Sequence, residues 1–319
     1  MLHRIVVVGG GAGGLELATR LGRTLGKRKK AKITLVDANL THIWKPLLHE
    51  VATGSLNSTD NELNYVAQAK WNHFEFQIGR FSGIDRSAKV IELSATVDEK
   101  GHQLVPARSL NYDTLVIAVG SLTNDFGTPG AAEHCIFLDS PQHALNFHRR
   151  LLGAYLSAHA HSETDTAVNI AIVGAGATGV ELAAELRRAS QQLSAYGLDN
   201  IQPDNMCITL LEAGPRVLPA LSEKIASEVH QQLLKLGVQV KLNAAVETIT
   251  AEGMHIKSGE FIPASLKVWA AGVRGPKFLT ELDGLTTNRI NQLVVRTTLQ
   301  TTLDDDIFAL GDCAACPLS

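Results

Sequence analysis

Cysteine, aromatic side chains and charge of one sign are all scarce in this sequence. Four cysteines, Cys135, Cys207, Cys313 and Cys316, are scattered over 319 residues. They are too few and too dispersed for a disulfide framework, which points to a reducing, cytosolic setting. Aromatic residues make up 5% of the chain. The formal net charge is −3, which argues against nucleic acid as the main partner. Long apolar runs are missing too: the longest uninterrupted stretch of apolar residues and glycine is the 11 residues 5–15, short of the roughly 20 needed to span a bilayer. Five of those 11 residues are glycine, no small-residue cleavage site follows, and Glu16 and Arg20 come next at helical spacing. A tight turn fits that pattern and a secretion signal does not. What the chain has is apolar material: 45% hydrophobic against 19% charged, enough for real cores and against wholesale disorder. At about 150 residues per domain, the length allows two.

An internal repeat organises the sequence. HRIVVVGGGAGGLELATRL (residues 3–21) recurs as VNIAIVGAGATGVELAAEL (168–186), with 10 of 19 positions identical. Each copy reads as a Val/Ile-rich strand, a glycine turn and a helix with Leu and Ala at helical spacing. Each is followed by a second apolar run ending in an acid, ITLVDA (33–38) and CITLLEA (207–213). A further echo pairs TLVIAVG (114–120) with LKVWAAG (266–272). Continuous apolar strands alternating with helices predict a parallel sheet covered on both faces, so the expected fold is α/β with two Rossmann-like dinucleotide-binding domains. SLTNDFGTPG (121–130) has loop composition and AGVRGPKF (271–278) reads as a return crossing, which inserts the second domain into the first. The expected boundaries are 1–121 with 274–319 for one domain and 122–273 for the other. Residues 188–206 read as an insertion in the second unit. The basic run 27–32 reads as a solvated turn, the other reading being a phosphate- or membrane-facing patch.

Gly9-x-Gly11-x-x-Gly14 directly follows a strand and opens a helix. The first glycine makes the tight turn, the second lets backbone approach a pyrophosphate, and the third lets helix pack on strand. Backbone N–H groups and the helix dipole then hold phosphate, while Asp37 stands where an acid accepts a hydrogen bond from ribose. The second copy repeats the logic with Gly174, Gly176, Gly179 and Glu212, and an anionic side chain there favours NADH over NADPH. Arg216 nearby tempers that preference, because an arginine can pair with a 2′-phosphate. Two such domains suit a flavin dinucleotide in one and a nicotinamide dinucleotide in the other, with hydride passing between the rings. The competing reading is a duplicated unit with one vestigial site. Glu16 and Glu181 occupy equivalent helix positions; Glu16 reads as a first-turn acid, and Glu181 as a residue facing the nicotinamide ring or its ribose. Gly311-Asp312 closes a late strand, where an acid meets the ribityl chain or pyrophosphate of a flavin. Cys313-x-x-Cys316 has the spacing of a redox pair or half a zinc site, but no second pair completes a tetrad, so inert thiols and no metal are expected.

These residues also carry a family likeness. IVVVGGGAGGLELATRLG, KAKITLVDAN, HIWKPLLHEVATGSL (42–56), YDTLVIAVGS, NDFGTPG, VNIAIVGAGATGVELAAEL, VWAAG, TNRINQLVV and TLQTTLDDDIFALGDCA resemble the type II NADH:quinone oxidoreductases, the non-pumping NADH dehydrogenases of respiratory membranes. The likeness runs from residue 3 to 317, and WKPLLHEVATGSL is its most family-specific piece. No cysteine lies in 42–56, which counts against disulfide reductases and sulfide:quinone oxidoreductases. The resemblance implies that NADH reduces FAD and reduced FAD reduces a membrane quinone. It places Gly9, Gly11, Ala12, Gly14, Asp37, Ala118, Gly120, Gly311 and Asp312 on FAD, and Lys45 and Pro46 near its isoalloxazine. It places Gly174, Gly176, Thr178, Gly179, Glu181, Glu212, Ala271 and Gly272 on NADH. Lys45 and Glu181 are the catalytic candidates, Lys45 steadying negative charge on reduced flavin. His42, His49 and Glu50 are candidate proton carriers by residue type.

Family members continue well past the Gly-Asp turn, whereas this chain stops seven residues after Asp312. The expectation is a C-terminally truncated member. Its quinone site, its peripheral attachment to the cytoplasmic side of the inner membrane and its homodimerisation would then depend on a region absent from the chain. Two other readings stay open: a non-catalytic nucleotide-binding remnant, and a soluble NADH-dependent flavoprotein reductase with another acceptor.

Overall fold

A computed structural model describes residues 1–57, 61–98, 100–160, 168–191 and 206–317. The chain divides into two compact units: Met1–Trp44, Glu62–Leu122 and Val273–Ser319 form the first, Lys45–Asn61 and Thr123–Gly272 the second. In chain order the first unit supplies β1 (His3–Val8), α1 (Ala12–Leu21) and β2 (Ala31–Asp37), and the second then contributes a short helix, α2 (Leu48–Thr53). The first resumes with α3 (Tyr65–Asn72), β3 (Glu75–Ile78), β4 (Arg80–Asp85), β5 (Val90–Ser94), β6 (Arg108–Asn111) and β7 (Thr114–Ile117). The second runs through β8 (Ile136–Phe137), α4 (Pro141–Ala160), β9 (Val168–Val173), α5 (Ala177–Gln191), β10 (Met206–Leu211), α6 (Glu223–Lys235) and β11 (Gln239–Lys241). It ends with β12 (Val246–Ile249), β13 (Gly253–Ile256), β14 (Phe261–Pro263) and β15 (Leu266–Trp269), before β16 (Gln300–Thr301) and β17 (Asp304–Ala309) return to the first.

The first unit is built on a six-stranded sheet of order β16-β17-β7-β1-β2-β3, parallel except where β16 meets β17. The second has a five-stranded sheet of order β8-β15-β9-β10-β11, parallel throughout. Both are covered on two faces, as their continuous Val/Ile/Leu runs require: Val6, Val7 and Val8 are at most 2% exposed, as are Ile170, Ala171 and Ile172. Each unit adds a small antiparallel sheet, β6-β5-β4 in the first and β12-β13-β14 in the second. The second unit interrupts the chain of the first, so the doubly wound architecture occurs twice with one copy inserted in the other.

Residues 45–61 belong to the second unit, although the sequence boundaries placed them in the first. The reason is local amphipathicity: α2 buries Leu48, Val51 and Ala52 against α4 and α5. Lys27, Arg28, Lys29 and Lys30 form an exposed turn after α1, while Lys32 lies in β2 and pairs with Glu75 at 3.0 Å. The expected insertion at 188–206 falls, apart from its ends, outside the described residues. Among the described residues no helix is long and apolar enough to cross a membrane.

Candidate functional site

In the first unit β1 delivers the chain into a turn that only glycine fits. Gly9 has φ +100°, and a Cβ there would lie 2.3 Å from the Ala118 carbonyl oxygen; a Cβ on Gly14 would lie 1.9 Å from that of Gly9. These two glycines bring α1, β1 and β7 into backbone contact. Gly11 differs, since an added Cβ would meet nothing within 4 Å. Gly11 caps the start of α1, where unpaired N–H groups and the helix dipole favour an anion. Asp37, at the end of β2, accepts a hydrogen bond from Gly10 N–H at 2.7 Å and from Asn39 N–H at 2.8 Å. Its carboxylate is thereby fixed beside the turn, with lone pairs left for hydroxyl donors.

The second unit reproduces this hydrogen bond by hydrogen bond. Gly9 N–H donates to Val36 O at 2.8 Å and Gly174 N–H to Leu211 O at 2.7 Å; Ala118 N–H donates to Val8 O at 2.7 Å and Ala270 N–H to Val173 O at 2.8 Å. Ala175 N–H donates to Glu212 Oε2 at 2.8 Å, as Gly10 does to Asp37, and Gly214 N–H holds the other carboxylate oxygen at 2.8 Å. A Cβ on Gly179 would lie 1.9 Å from Gly174 O, while one on Gly176 would meet nothing within 4 Å. Both turns therefore leave a cradle that a side chain would fill, with a fixed carboxylate alongside, and both fit a dinucleotide pyrophosphate and ribose. Ala12 and Thr178 sit exposed at the matching helix starts. The register makes Ala270 the counterpart of Ala118, and Ala271 that of Val119. Arg216 turns to its own loop, donating to Pro219 O at 2.7 Å.

The late acid lies at the end of β17, in a short 3-10 turn (Gly311–Cys313). Ser121 Oγ donates to Asp312 Oδ2 at 2.9 Å, so the carboxylate is held at the carboxyl ends of the first unit's strands with Gly120 and Gly311, both at positive φ. Cys313 is buried with its Sγ 3.2 Å from Leu310 O, and burial pushes its thiol up. Cys316 is exposed; both thiols are free. Among the described residues no cluster of three or more His, Cys, Asp or Glu could hold a metal ion.

Lys45 and Pro46 form a one-turn helix in the second unit. Lys45 Nζ donates to Asp139 Oδ1 at 3.2 Å, and Asp139 also accepts from Thr123 N–H and Oγ. His49 Nδ1 lies 3.7 Å from Glu181 Oε2, and Ser55 Oγ donates to Glu185. The segment that carries Lys45 is thus fastened to the helix that carries Glu181. Glu16, by contrast, is exposed and pairs with Arg20 at 3.7 Å. His42 is half-buried, and that burial lowers its pKa.

Three residues escaped the sequence reading. Tyr65 Oη donates to Gly10 O at 2.7 Å from inside the first core, and burial holds the phenol neutral. In the second unit that carbonyl's counterpart, Ala175 O, accepts from Leu218 N–H instead, at 2.8 Å. Asn124 accepts from Trp269 Nε1 at 2.8 Å through its carbonyl and from Phe126 N–H at 3.0 Å through its side chain. Phe126 holds φ +53°, a conformation that costs a bulky side chain about 1–3 kcal/mol. None has a periodic signature; Asn-Asp-Phe-Gly has loop composition and belongs to the family likeness, but neither signal assigns Asn124 or Phe126 a role.

The pyridine nucleotide-disulphide oxidoreductase family matches residues 3–318. The type II NADH:quinone oxidoreductase of Haemophilus influenzae is 48% identical over 98% of this chain and 74% of that protein. The type II NADH:quinone oxidoreductase NdhA of Mycobacterium tuberculosis is 31% identical over 97% of this chain and 66% of its own length. Among solved structures, NDH2 from Plasmodium falciparum in complex with NADH is similar with a TM-score of 0.84 at 22% identity, covering 99% of this chain and 65% of that one. The chain thus spans about two thirds to three quarters of the proteins it resembles.

Proposed function

The chain belongs to the pyridine nucleotide-disulphide oxidoreductases and, among them, to the type II NADH:quinone oxidoreductases, and from that premise we propose that it oxidises NADH through FAD and delivers the electrons to a membrane quinone. The observation that carries this reading is the pair of matched turns, each with its own carboxylate. Bound FAD would supply the two-electron redox chemistry.

The protein's own residues bind and orient. We assign FAD to the first unit and NADH to the second. Gly9, Gly11, Ala12 and Gly14 receive the FAD pyrophosphate on backbone N–H groups, Asp37 accepts from its ribose, and Ala118, Gly120, Gly311 and Asp312 line the strand ends beside it. Gly174, Gly176, Thr178 and Gly179 do the same for NADH, and Glu212 accepts from the adenosine ribose. A 2′-phosphate would meet the Glu212 carboxylate, so NADH is preferred over NADPH. Ala271 and Gly272 flank the nicotinamide half and Glu181 faces its ring or ribose; the family resemblance keeps Lys45 and Pro46 for the flavin, and Asp139 holds the Lys45 ammonium. NADH is water-soluble and the quinone is dissolved in lipid, so we place the protein at the cytoplasmic surface of the membrane as a peripheral protein.

The test is the visible spectrum of the purified chain, loaded with FAD, before and after anaerobic NADH. Yellow protein that bleaches with NADH and recolours on adding a short-chain quinone is the expected result. A chain that takes up no FAD would overturn the assignment of the first unit. One that takes up FAD but is not bleached would overturn that of the second.

A further inference from the structure

The two units match closely around their glycine turns, yet they differ at the strand end that follows β7 in one and β15 in the other. At the carboxyl end of β7 a Cβ on Gly120 would meet nothing within 4 Å. At the equivalent point after β15, a Cβ on Gly272 would lie 2.4 Å from Phe126 Cζ. A phenyl ring covers this strand end in one unit, and open space lies there in the other.

That ring is held in place at some cost. Phe126 is 66% exposed, so burial of apolar surface does not explain it, and its φ of +53° is one that a bulky side chain avoids. The loop is nonetheless fixed to β15. Asn124 N–H donates to Gly272 O at 3.2 Å, Asn124 O accepts from Trp269 Nε1 at 2.8 Å, and Asn124 Oδ1 accepts from Phe126 N–H at 3.0 Å. Gly127 N–H donates to Asp125 Oδ1 at 3.2 Å, and Gly127 follows at φ +71°. A strained, exposed aromatic kept by its surroundings points to a ligand.

Sheet order identifies which part of the ligand. From β9, which carries the glycine turn, the chain moves outward to β10 and β11, then returns to β15 on the other side of β9. The switch point between β9 and β15 is where a dinucleotide crosses the carboxyl ends of a doubly wound sheet. Glu212 ends β10 and takes the adenosine ribose, and the pyrophosphate lies over the β9 turn. The remaining half, nicotinamide and its ribose, therefore extends toward β15 and Gly272, where Phe126 stands.

We propose that Phe126 is a positioning residue for the nicotinamide end of NADH, its phenyl face packing against the pyridine ring. The proposal rests on the assignment of NADH to the second unit. A pyridinium over an aromatic face gains electrostatically as well as by contact, so oxidised NAD+ reports the interaction best. ADP-ribose shares the adenosine, pyrophosphate and ribose but has no pyridine, and is the internal control.

The experiment titrates the purified 319-residue chain with NAD+ and with ADP-ribose by calorimetry, for the wild type, Phe126→Gly and Phe126→Tyr. Phe126→Gly is expected to weaken NAD+ by about three- to tenfold and to leave ADP-ribose unchanged. Its thermal midpoint should hold or rise, because glycine adopts the left-handed conformation freely. Phe126→Tyr should restore NAD+ binding. Equal losses for both ligands, or a lower midpoint accompanying them, would make Phe126 a structural residue and overturn the proposal; so would unchanged NAD+ affinity in Phe126→Gly. A wild-type chain that binds neither ligand would instead remove NADH from the second unit, a failure visible without any variant.

Discussion

Tyr65 and Gly10 are 55 positions apart in sequence, and the phenol of one donates to the carbonyl of the other at 2.7 Å. Gly10 N–H donates to Asp37 on its other side, so both backbone polar groups of one turn residue are held, each by a different side chain. Removing the hydroxyl in Tyr65→Phe leaves a buried carbonyl without its donor, a loss of about 1–3 kcal/mol. The thermal midpoint should fall by a few degrees, and FAD should dissociate more readily in gel filtration followed by flavin absorbance. Unchanged retention and stability would mean that Asp37 alone holds the turn.

The glycines of the first turn should separate into two kinds. Gly14→Ala puts a methyl group 1.9 Å from Gly9 O, where only backbone movement relieves the clash, and soluble folded protein should drop sharply. Gly11→Ala meets no protein atom within 4 Å and keeps an allowed backbone at φ −61°. It should fold with normal or slightly higher stability yet take up little FAD, because the methyl occupies the space left for phosphate. Circular dichroism and flavin content measured on the same sample decide the matter; Gly11→Ala protein with full flavin would remove the phosphate from that turn.

Glu212→Ala removes a hydrogen bond to a charged acceptor, worth about 1.5–3 kcal/mol. The Michaelis constant for NADH should rise roughly tenfold or more, and the preference for NADH over NADPH should shrink. Steady-state kinetics with both nucleotides tests this, flavin content serving as the control. An unaltered constant would take Glu212 out of the NADH site.

Asp113 links β7 to β1 by accepting from Arg4 N–H at 2.7 Å and from Arg4 Nη2 at 2.8 Å. These bonds hold the Asp113 carboxyl well below the usual carboxylate range. A group whose pKa is depressed by folding stabilises the native state above its unfolded value, near 3.9, and loses that contribution as pH falls through the folded value. Denaturant midpoints should therefore decline below about pH 4, and Asp113→Asn should flatten that decline while lowering stability at neutral pH. Equal slopes for wild type and variant in acid would place the titration elsewhere.

How much of this was readable in the residues depended on the range of the contact. The turn glycines, the acids at the ends of β2 and β10, and the strands before them announce themselves because strand, turn and helix are local and periodic. The echo of TLVIAVG in LKVWAAG aligns Ala118 with Ala270 and Gly120 with Gly272, and the sheet register agrees, with Val8 opposite Ile117 and Val173 opposite Trp269. The segment that carries Lys45 follows the first unit's opening strands in sequence. It docks in the second because the apolar face of α2 finds α4 and α5, a choice that only tertiary packing makes.

The amino-acid order on its own dictated two dinucleotide cradles and the carboxylate beside each, since those follow from glycine sterics and fixed short spacings. Tertiary structure alone decided what secures them: Tyr65 reaching Gly10, Trp269 reaching Asn124, and Phe126 standing over Gly272. Such contacts join side chains far apart in the chain, and they form only once sheets and helices have closed around them, so no local pattern encodes them.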